Sequence, residues 1–127
     1  MASGELGKVY QDGEVIICEG DEGNCMFAIQ EGEVEVIIAG EDDKEIRLGV
    51  RGEGEFFGEM AIFDRDVRSA TVRALGEARV LTVDKKNFMR RVHEDPSLAF
   101  RLVETMSRRI RELGEEVARL QMQSGTK

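Results

Sequence analysis

The first two thirds of the chain alternate short apolar runs with glycine-rich turns. Apolar or alternating runs at 14–18, 26–29, 33–38, 45–50 and 78–83 predict strands, and the segment Arg68 to Val72 predicts the start of a further strand. Val34 and Val36 alternate with acids, as in a half-buried strand, and the turn beginning at Gly40 predicts a hairpin with 45–50. This pattern over about residues 8–83 predicts a mainly β fold, an eight-stranded β-roll of jelly-roll type.

The periodicity becomes helical after Asp84. Asp84 is a suitable N-cap for a helix over about 85–94, and Asp95 followed by Pro96 predicts the start of a second helix over about 96–121. We therefore expect one domain over 5–121, with two C-terminal helices and a disordered tail at 122–127.

The second predicted helix carries an apolar seam. Its apolar positions are spaced by three and four residues: Leu102, Met106, Ile110, Leu113, Val117 and Leu120. The last five fit the a and d positions of a short heptad pattern, which predicts a homodimer formed through this helix. The alternative is that the same side chains pack on the chain's own β-roll.

Composition narrows the class of protein. The 127 residues suit one domain, and the net charge of −8 argues against direct DNA binding by this chain. We expect no membrane span, because no apolar run approaches about 20 residues, and the first residues lack a signal-peptide pattern. Cys18 and Cys25 are interpreted as buried structural thiols, so a cytoplasmic location is expected.

The segment 56–72 combines groups that suit a small phosphate. An aromatic pair and Gly58 precede residues that predict a short helix, and Arg68 and Ser69 follow a charged loop. Backbone amides at a helix start and a guanidinium are typical ligands of a phosphate. The carboxylate of Glu59 would repel a phosphate but would suit a neighbouring sugar hydroxyl.

These motifs resemble the cyclic nucleotide-binding domain family, which includes catabolite-activator-type regulators and the regulatory domains of cyclic-nucleotide-dependent kinases and channels. The matching residues are Glu19-Gly20-Asp21, Ile29 to Val34, Phe57-Gly58-Glu59-Met60-Ala61 and Arg68 to Ala74. The last two blocks are similar to the family's phosphate-binding cassette, and we call residues 56–72 the cassette. The resemblance covers roughly residues 9–120 and implies a β-roll with C-terminal helices.

The resemblance implies a role for each cassette residue. Arg68 would pair with the cyclic phosphate, Ser69 would add a hydrogen-bond donor, and Glu59 would accept a hydrogen bond from the ribose 2′-hydroxyl. Gly58 would allow close backbone approach, and the amides around Met60 and Ala61 would meet the phosphate. An apolar floor under the base would come from Val72, Val36 and Leu48.

The resemblance leaves the base contacts open. Where activator-type regulators place a threonine-serine pair that reaches adenine, this chain has Leu113 and Gly114. Arg108, Arg109, Arg111 or Leu113 would then supply a different lid over the base. We expect a noncatalytic sensor that binds cAMP in preference to cGMP, moves its C-terminal helices on binding, and acts on an unknown output domain or partner.

The sequence also bears on two other classes of function, a metal-dependent enzyme and a scaffold. A metal-dependent jelly-roll enzyme needs two or three histidines at one metal, and His93 is the only histidine, so we expect no metal, no haem and no catalysis. His93 is interpreted as structural or exposed. The alternative is a degenerate β-roll scaffold that dimerises and binds no nucleotide.

Overall fold

The computed structural model describes residues 6–59, 61–62 and 67–123, which contain six strands and two long helices. The strands are β1 (Lys8–Tyr10), β2 (Val15–Ile17), β3 (Cys25–Ala39), β4 (Glu45–Arg51), β5 (Phe56–Phe57) and β6 (Thr71–Asp84), and the helices are α1 (Lys85–Glu94) and α2 (Ser97–Gln123). The chain divides into two units, Met1–Phe88 and Met89–Lys127, and the first contains all six strands.

The first unit is built on one antiparallel sheet. The strand order is β1-β6-β3-β4, while β2 pairs with β6 and β5 pairs with β3. The two long strands β3 and β6 pair along nearly their whole length, from Cys25 opposite Asp84 to Ile37 opposite Thr71. The predicted class, a mainly β, roll-like fold followed by two helices, is confirmed, and β3 and β4 form the predicted hairpin.

The predicted count of eight strands is wrong for the described residues. The runs at 26–29 and 33–38 are parts of the single strand β3, and the runs near 70 and at 78–83 are parts of β6. Gly32 allows β3 to continue, because its φ of 84° bends the strand where the β3–β6 register shifts. A β-carbon at Gly32 would lie 2.3 Å from the carbonyl oxygen of Glu77, so only glycine fits there.

The sheet encloses an apolar core. Its buried members come from β1, β2, β3, β5 and β6: Tyr10, Ile17, Phe27, Ile29, Val34, Phe57, Val72, Ala74, Ala78 and Val80. Val34 is fully buried and Val36 is partly buried against the same cluster, as their shared face requires. Phe57 and Val72, near the two ends of the cassette, are both members of this core.

A charged network crosses three strands. Glu35 on β3 accepts hydrogen bonds from Arg47 Nη2 at 2.9 Å and from Arg73 Nε at 2.5 Å, and Arg73 also pairs with Glu45 at 2.8 Å. Glu35 is buried, which the alternation of acids and valines did not indicate. The hydrogen bonds from Arg73 and Arg47 lower the pKa of the Glu35 carboxyl.

Both helices begin at the predicted capping residues. Asp84 Oδ1 accepts a hydrogen bond of 2.7 Å from the amide of Asn87, and Asp95 Oδ1 accepts one of 3.2 Å from the amide of Ser97. The Ser97 hydroxyl also donates to Asp95 and lowers the pKa of its carboxyl. Helix α2 continues two residues past the predicted end at 121, and the rest of the predicted tail lies outside the described residues.

Helix α2 carries an exposed apolar face that we call the α2 stripe. Its members are each more than half exposed: Val103, Ile110, Leu113, Val117 and Leu120. Met106, the first residue of the predicted heptad pattern, is partly buried, Leu102 before it is buried, and Val103 is exposed. Neither α1 nor α2 combines the length and hydropathy that crossing a bilayer requires.

Candidate functional site

The cassette begins on β5, which is held to the middle of the sheet. Phe57 lies opposite Phe27 of β3, and their rings stack with centroids 5.1 Å apart and planes 12° apart. Both phenylalanines are buried in the core. Large stacked rings with little exposed surface fix the direction in which the chain leaves the sheet at Gly58.

Gly58 stands at the turn out of β5. Its φ of 75° lies in the left-handed region that favours glycine. A β-carbon there would lie 3.0 Å from Arg68 Nη1, 3.1 Å from Ile17 Cδ1 and 3.3 Å from Phe27 Cδ1. Both the backbone angle and the crowding therefore require a residue without a side chain.

The backbone of Arg68 is fixed by the loop between β2 and β3. Its amide donates to the carbonyl oxygen of Asp21 at 2.7 Å, and its carbonyl oxygen accepts from the amide of Gly20 at 2.9 Å. Glu22 and Val67 form an isolated antiparallel bridge beside this pair of bonds. The arginine is thus anchored before β6 begins at Thr71, although the sequence pattern predicted a strand from Arg68 onward.

The guanidinium of Arg68 turns toward backbone carbonyls. Nη1 donates to the carbonyl oxygen of Gly58 at 3.0 Å, and Nη2 donates to that of Cys25 at 2.8 Å. Cζ lies 5.8 Å from the centre of the Phe27 ring, within cation–π range. The group is partly buried, and these contacts hold it in one orientation beside the Phe27 ring.

Two donors of the cassette converge on one acceptor. The carbonyl oxygen of Gly58 accepts from Arg68 Nη1 at 3.0 Å and from the amide of Ala61 at 3.3 Å. Ala61 and Ile62 are helical and buried, and the amide of Ile62 donates to the carbonyl oxygen of Glu59 at 3.0 Å. The predicted donor Met60 lies outside the described residues.

The other predicted cassette and floor residues differ in exposure. Glu59 is partly buried and Ser69 is exposed. Val72 is buried and lies directly opposite the partly buried Val36 in the β3–β6 register. Leu48 is 59% exposed on the edge strand β4, beside the position where the β3–β4 register shifts. Val36 and Val72 are therefore neighbours, whereas Leu48 is open to solvent.

The predicted lid residues all lie on α2, in the second unit. Arg108, Arg111 and Leu113 are exposed, and Arg109 is partly buried. Leu113 is also a member of the α2 stripe, so its side chain was predicted on two different surfaces, the lid and the dimer seam. Their contact with a base stays a prediction.

Sequence reasoning missed the residues that surround Arg68. Gly23, Cys25 and Phe27 all contact its guanidinium, but in the sequence they read only as a turn and a buried strand. Their signal is tertiary, because 43 residues separate Cys25 from Arg68. Contacts between residues so far apart in the sequence leave no local pattern.

The remaining candidate ligands are dispersed. Cys25 is partly buried, but Cys18 is exposed, so the expectation that both thiols are buried is wrong for Cys18. His93 is exposed near the end of α1. Within residues 6–59, 61–62 and 67–123, no three histidine, cysteine or acidic side chains are grouped as metal ligands would be.

Comparison with known proteins identifies the family. The family model of the cyclic nucleotide-binding domain matches residues 7–95. The cAMP-activated global transcriptional regulator CRP of Salmonella typhimurium is 31% identical over 112 residues, which are 87% of this chain and 53% of that protein. The cAMP-dependent protein kinase regulatory subunit of Blastocladiella emersonii is 37% identical over 81 residues, covering 64% of this chain and 20% of that protein.

Solved structures agree with this assignment. The catabolite activator protein of Thermus thermophilus superposes with a TM-score of 0.79 at 28% identity, covering 89% of this chain and 53% of that one. This chain thus spans about half the length of the bacterial regulators and a fifth of the kinase subunit. The matched region contains the β-roll, the cassette and Arg68, and the chain belongs to the cyclic nucleotide-binding domain family.

Proposed function

We propose that the chain is a noncatalytic sensor that binds a 3′,5′-cyclic nucleotide at the cassette. One observation carries this proposal: Arg68 Nη1 and the amide of Ala61 converge on a single oxygen, the carbonyl of Gly58. Two donors that share one acceptor lie close enough together to bind the same phosphate group. A cyclic phosphate has one negative charge on two exocyclic oxygens, which matches the planar fork of a guanidinium.

The proposal assigns the sugar and phosphate contacts to residues of the cassette. Arg68 keeps its bonds to the carbonyl oxygens of Gly58 and Cys25 and directs other N–H groups of its guanidinium, which has five, to the phosphate oxygens. Charge-assisted bonds of this kind are about twice as strong as neutral ones. Glu59 accepts a hydrogen bond from the ribose 2′-hydroxyl, and the exposed Ser69 adds a donor. The amides near Met60 and Ala61 complete the phosphate site, and Gly58 lets the ligand approach the backbone.

The base rests on apolar side chains of the sheet. Val72 and Val36 lie opposite each other and form the inner floor, and the exposed Leu48 extends it toward solvent. Arg108, Arg109, Arg111 or Leu113 forms the lid in this proposal. cAMP is favoured over cGMP because the names of the two relatives described above, the bacterial regulator and the kinase subunit, specify cAMP.

Binding is coupled to the helices that follow the roll. A ligand shifts a conformational equilibrium only by its differential affinity for the two states, so part of its contacts must form only after α1 and α2 move. The output then comes from another domain or a partner protein. The net charge of −8 disfavours direct DNA binding by this chain, and the free thiols of Cys18 and Cys25 suit the reducing cytoplasm.

A homodimer through α2 is part of the proposal. The exposed α2 stripe continues the heptad pattern, with β-branched Val103, Ile110 and Val117 at a positions and Leu113 and Leu120 at d positions. This choice of residues favours a two-stranded parallel coiled coil. A second copy of the chain covers the stripe in this arrangement.

A degenerate scaffold that binds no nucleotide is the second candidate. It is favoured by the fact that two donors of Arg68 already bond to the carbonyls of Gly58 and Cys25. In that case the arginine would be a structural link between β5 and β3. The α2 stripe would then provide the chain's main function.

Calorimetric titration of the purified chain with cAMP and with cGMP distinguishes the sensor from the scaffold. We expect at least one to bind with a Kd below about 100 μM, and Arg68→Ala to weaken it at least about 30-fold. Arg90→Ala removes the same charge from an exposed site on α1 and should leave the Kd unchanged. No binding of either nucleotide, or binding that survives Arg68→Ala, would sink the sensor proposal.

A further inference from the structure

Gly23, in the loop between β2 and β3, lies directly against the guanidinium of Arg68. A β-carbon at Gly23 would lie 2.2 Å from Nε, 2.3 Å from Cζ and 2.5 Å from Nη2 of that arginine. Ordinary contact begins near 3.4 Å, so a methyl group would require the guanidinium to move by about 1.2 Å, from 2.2 Å to 3.4 Å. These three closest atoms all belong to Arg68.

The backbone conformation does not explain why position 23 is a glycine. The φ of Gly23 lies outside the left-handed range, so a residue with a side chain can adopt it. Gly20, three residues earlier, is the opposite case: its φ is 95° and a β-carbon there would meet nothing within 4 Å. Gly23 is therefore needed for space, and the space is occupied by Arg68.

The guanidinium cannot move away without losing its other contacts. Its Nη2 bond to Cys25 is 2.8 Å and its Nη1 bond to Gly58 is 3.0 Å, and the Phe27 ring lies on a third side. A displacement of the required size breaks at least one of these bonds, because hydrogen bonds weaken steeply beyond their normal length and angle. The fork would then no longer lie beside the amide of Ala61.

We infer that Gly23 is a positioning residue for Arg68, which sets the affinity for the cyclic phosphate without contacting the ligand. The inference rests on the proposed function, since it requires Arg68 to bind that phosphate. The displaced atoms are the end of a flexible side chain, so a small side chain at position 23 moves the guanidinium and leaves the fold intact.

The test compares two glycine-to-alanine variants of the full chain. Gly23→Ala should weaken cAMP and cGMP binding about 10-fold or more, because misplacing a charged group by about 1 Å can cost up to about 100-fold. Gly52→Ala is the matched control: its φ is also outside the left-handed range, and the nearest atoms to its β-carbon are 3.9 Å away. It should leave the Kd within about twofold of wild type.

A second readout separates positioning from general damage. The ¹⁵N resonance of the Arg68 Nε–H, assigned by its disappearance in Arg68→Lys, should shift in ligand-free Gly23→Ala and stay in place in Gly52→Ala. In the Arg68→Ala background, Gly23→Ala should change the Kd less than about twofold, because no side chain is left for the new methyl group to displace.

The outcomes distinguish the two proposals. If Arg68→Ala does not weaken binding, the proposed function fails and this inference fails with it. If Arg68→Ala weakens binding but Gly23→Ala does not, or if Gly23→Ala leaves the Nε–H resonance unmoved, only the role of Gly23 is overturned. A Gly23→Ala chain that does not fold also overturns it, because the inference requires the fold to remain intact.

Discussion

Arg68 donates a hydrogen bond of 3.0 Å from Nη1 to the carbonyl oxygen of Gly58, ten residues earlier in the cassette. The same oxygen accepts from the amide of Ala61, so Gly58 connects the arginine to the helical residues that follow. Gly58 thus acts through its carbonyl as well as through its missing side chain. Its left-handed backbone is what directs this oxygen toward both donors.

Substitution of Gly58 should impair both stability and binding. Gly58→Ala places a methyl group 3.0–3.3 Å from Arg68, Ile17 and Phe27 on a left-handed backbone. The backbone alone costs about 1–2 kcal/mol, to be measured by urea unfolding, and we expect the Kd for cAMP to rise about 10-fold or more.

The matched control for that variant is Gly76→Ala. Gly76 has a φ of 76°, almost the same as Gly58, but a β-carbon there meets nothing within 4 Å. Gly76→Ala should lower the free energy of unfolding by a similar amount and leave the Kd for cAMP unchanged. Equal losses of affinity in the two variants would contradict a specific role of Gly58 at the cassette.

Glu59 should determine whether the ribose 2′-hydroxyl is recognised. In wild type, 2′-deoxy-cAMP should bind about 10-fold more weakly than cAMP, because a hydrogen bond to a charged acceptor contributes about 1.5–3 kcal/mol. In Glu59→Ala the ratio of the two Kd values should fall close to one. Calorimetry with both ligands measures this ratio, and a ratio unchanged by the substitution would place the sugar contact elsewhere.

Glu35 should make folding stability depend on acid pH. Its pKa is lowered in the folded state, first by the hydrogen bond from Arg73 and then by that from Arg47. The unfolded chain therefore binds this proton more readily, so the stabilisation is complete above pH 4.5, the ordinary value, and is lost as the pH falls through the folded pKa. Urea unfolding of wild type between pH 7 and pH 3 should show the loss.

Glu35→Gln tests the source of that pH dependence. It should destabilise the protein by about 1–3 kcal/mol at pH 7, since Arg73 and Arg47 lose a charged partner in a buried position. Its unfolding should also change less than that of wild type on acidification. Glu31→Gln, at an exposed side chain paired with Arg79, should cost no more than about 1 kcal/mol. An identical pH profile in wild type and Glu35→Gln would refute the assignment.

The α2 stripe should hold two chains together. Ile110→Asp places a charge in the middle of the stripe, where a partner side chain would have to be buried against it, and should convert the dimer to a monomer in light scattering. Ala118→Asp introduces the same charge on an exposed position of α2 outside the stripe and should leave the dimer intact. A wild-type chain that is monomeric at high concentration would argue against the dimer.

The sequence alone was sufficient for the fold class, the helix caps and the family. Strand alternation, Asp84, Asp95 and the cassette motif are local signals, because each depends on neighbours within a few residues. Local signals also misled. Gly32 reads as a strand end in the sequence, yet its positive φ and the shifted register let β3 continue, so the described part of the chain has six strands where eight were predicted.

Only the tertiary structure decided what surrounds Arg68 and what buries Glu35. Cys25 and Gly23 reach the guanidinium from more than 40 residues away, and Glu35 meets Arg73 across two paired strands. These contacts are determined by the β3–β6 register and by the path of the loop between β2 and β3, and neither produces a periodic pattern in the sequence. The cassette motif was therefore readable from residue types, while the geometry that orients Arg68 depends on contacts between distant segments.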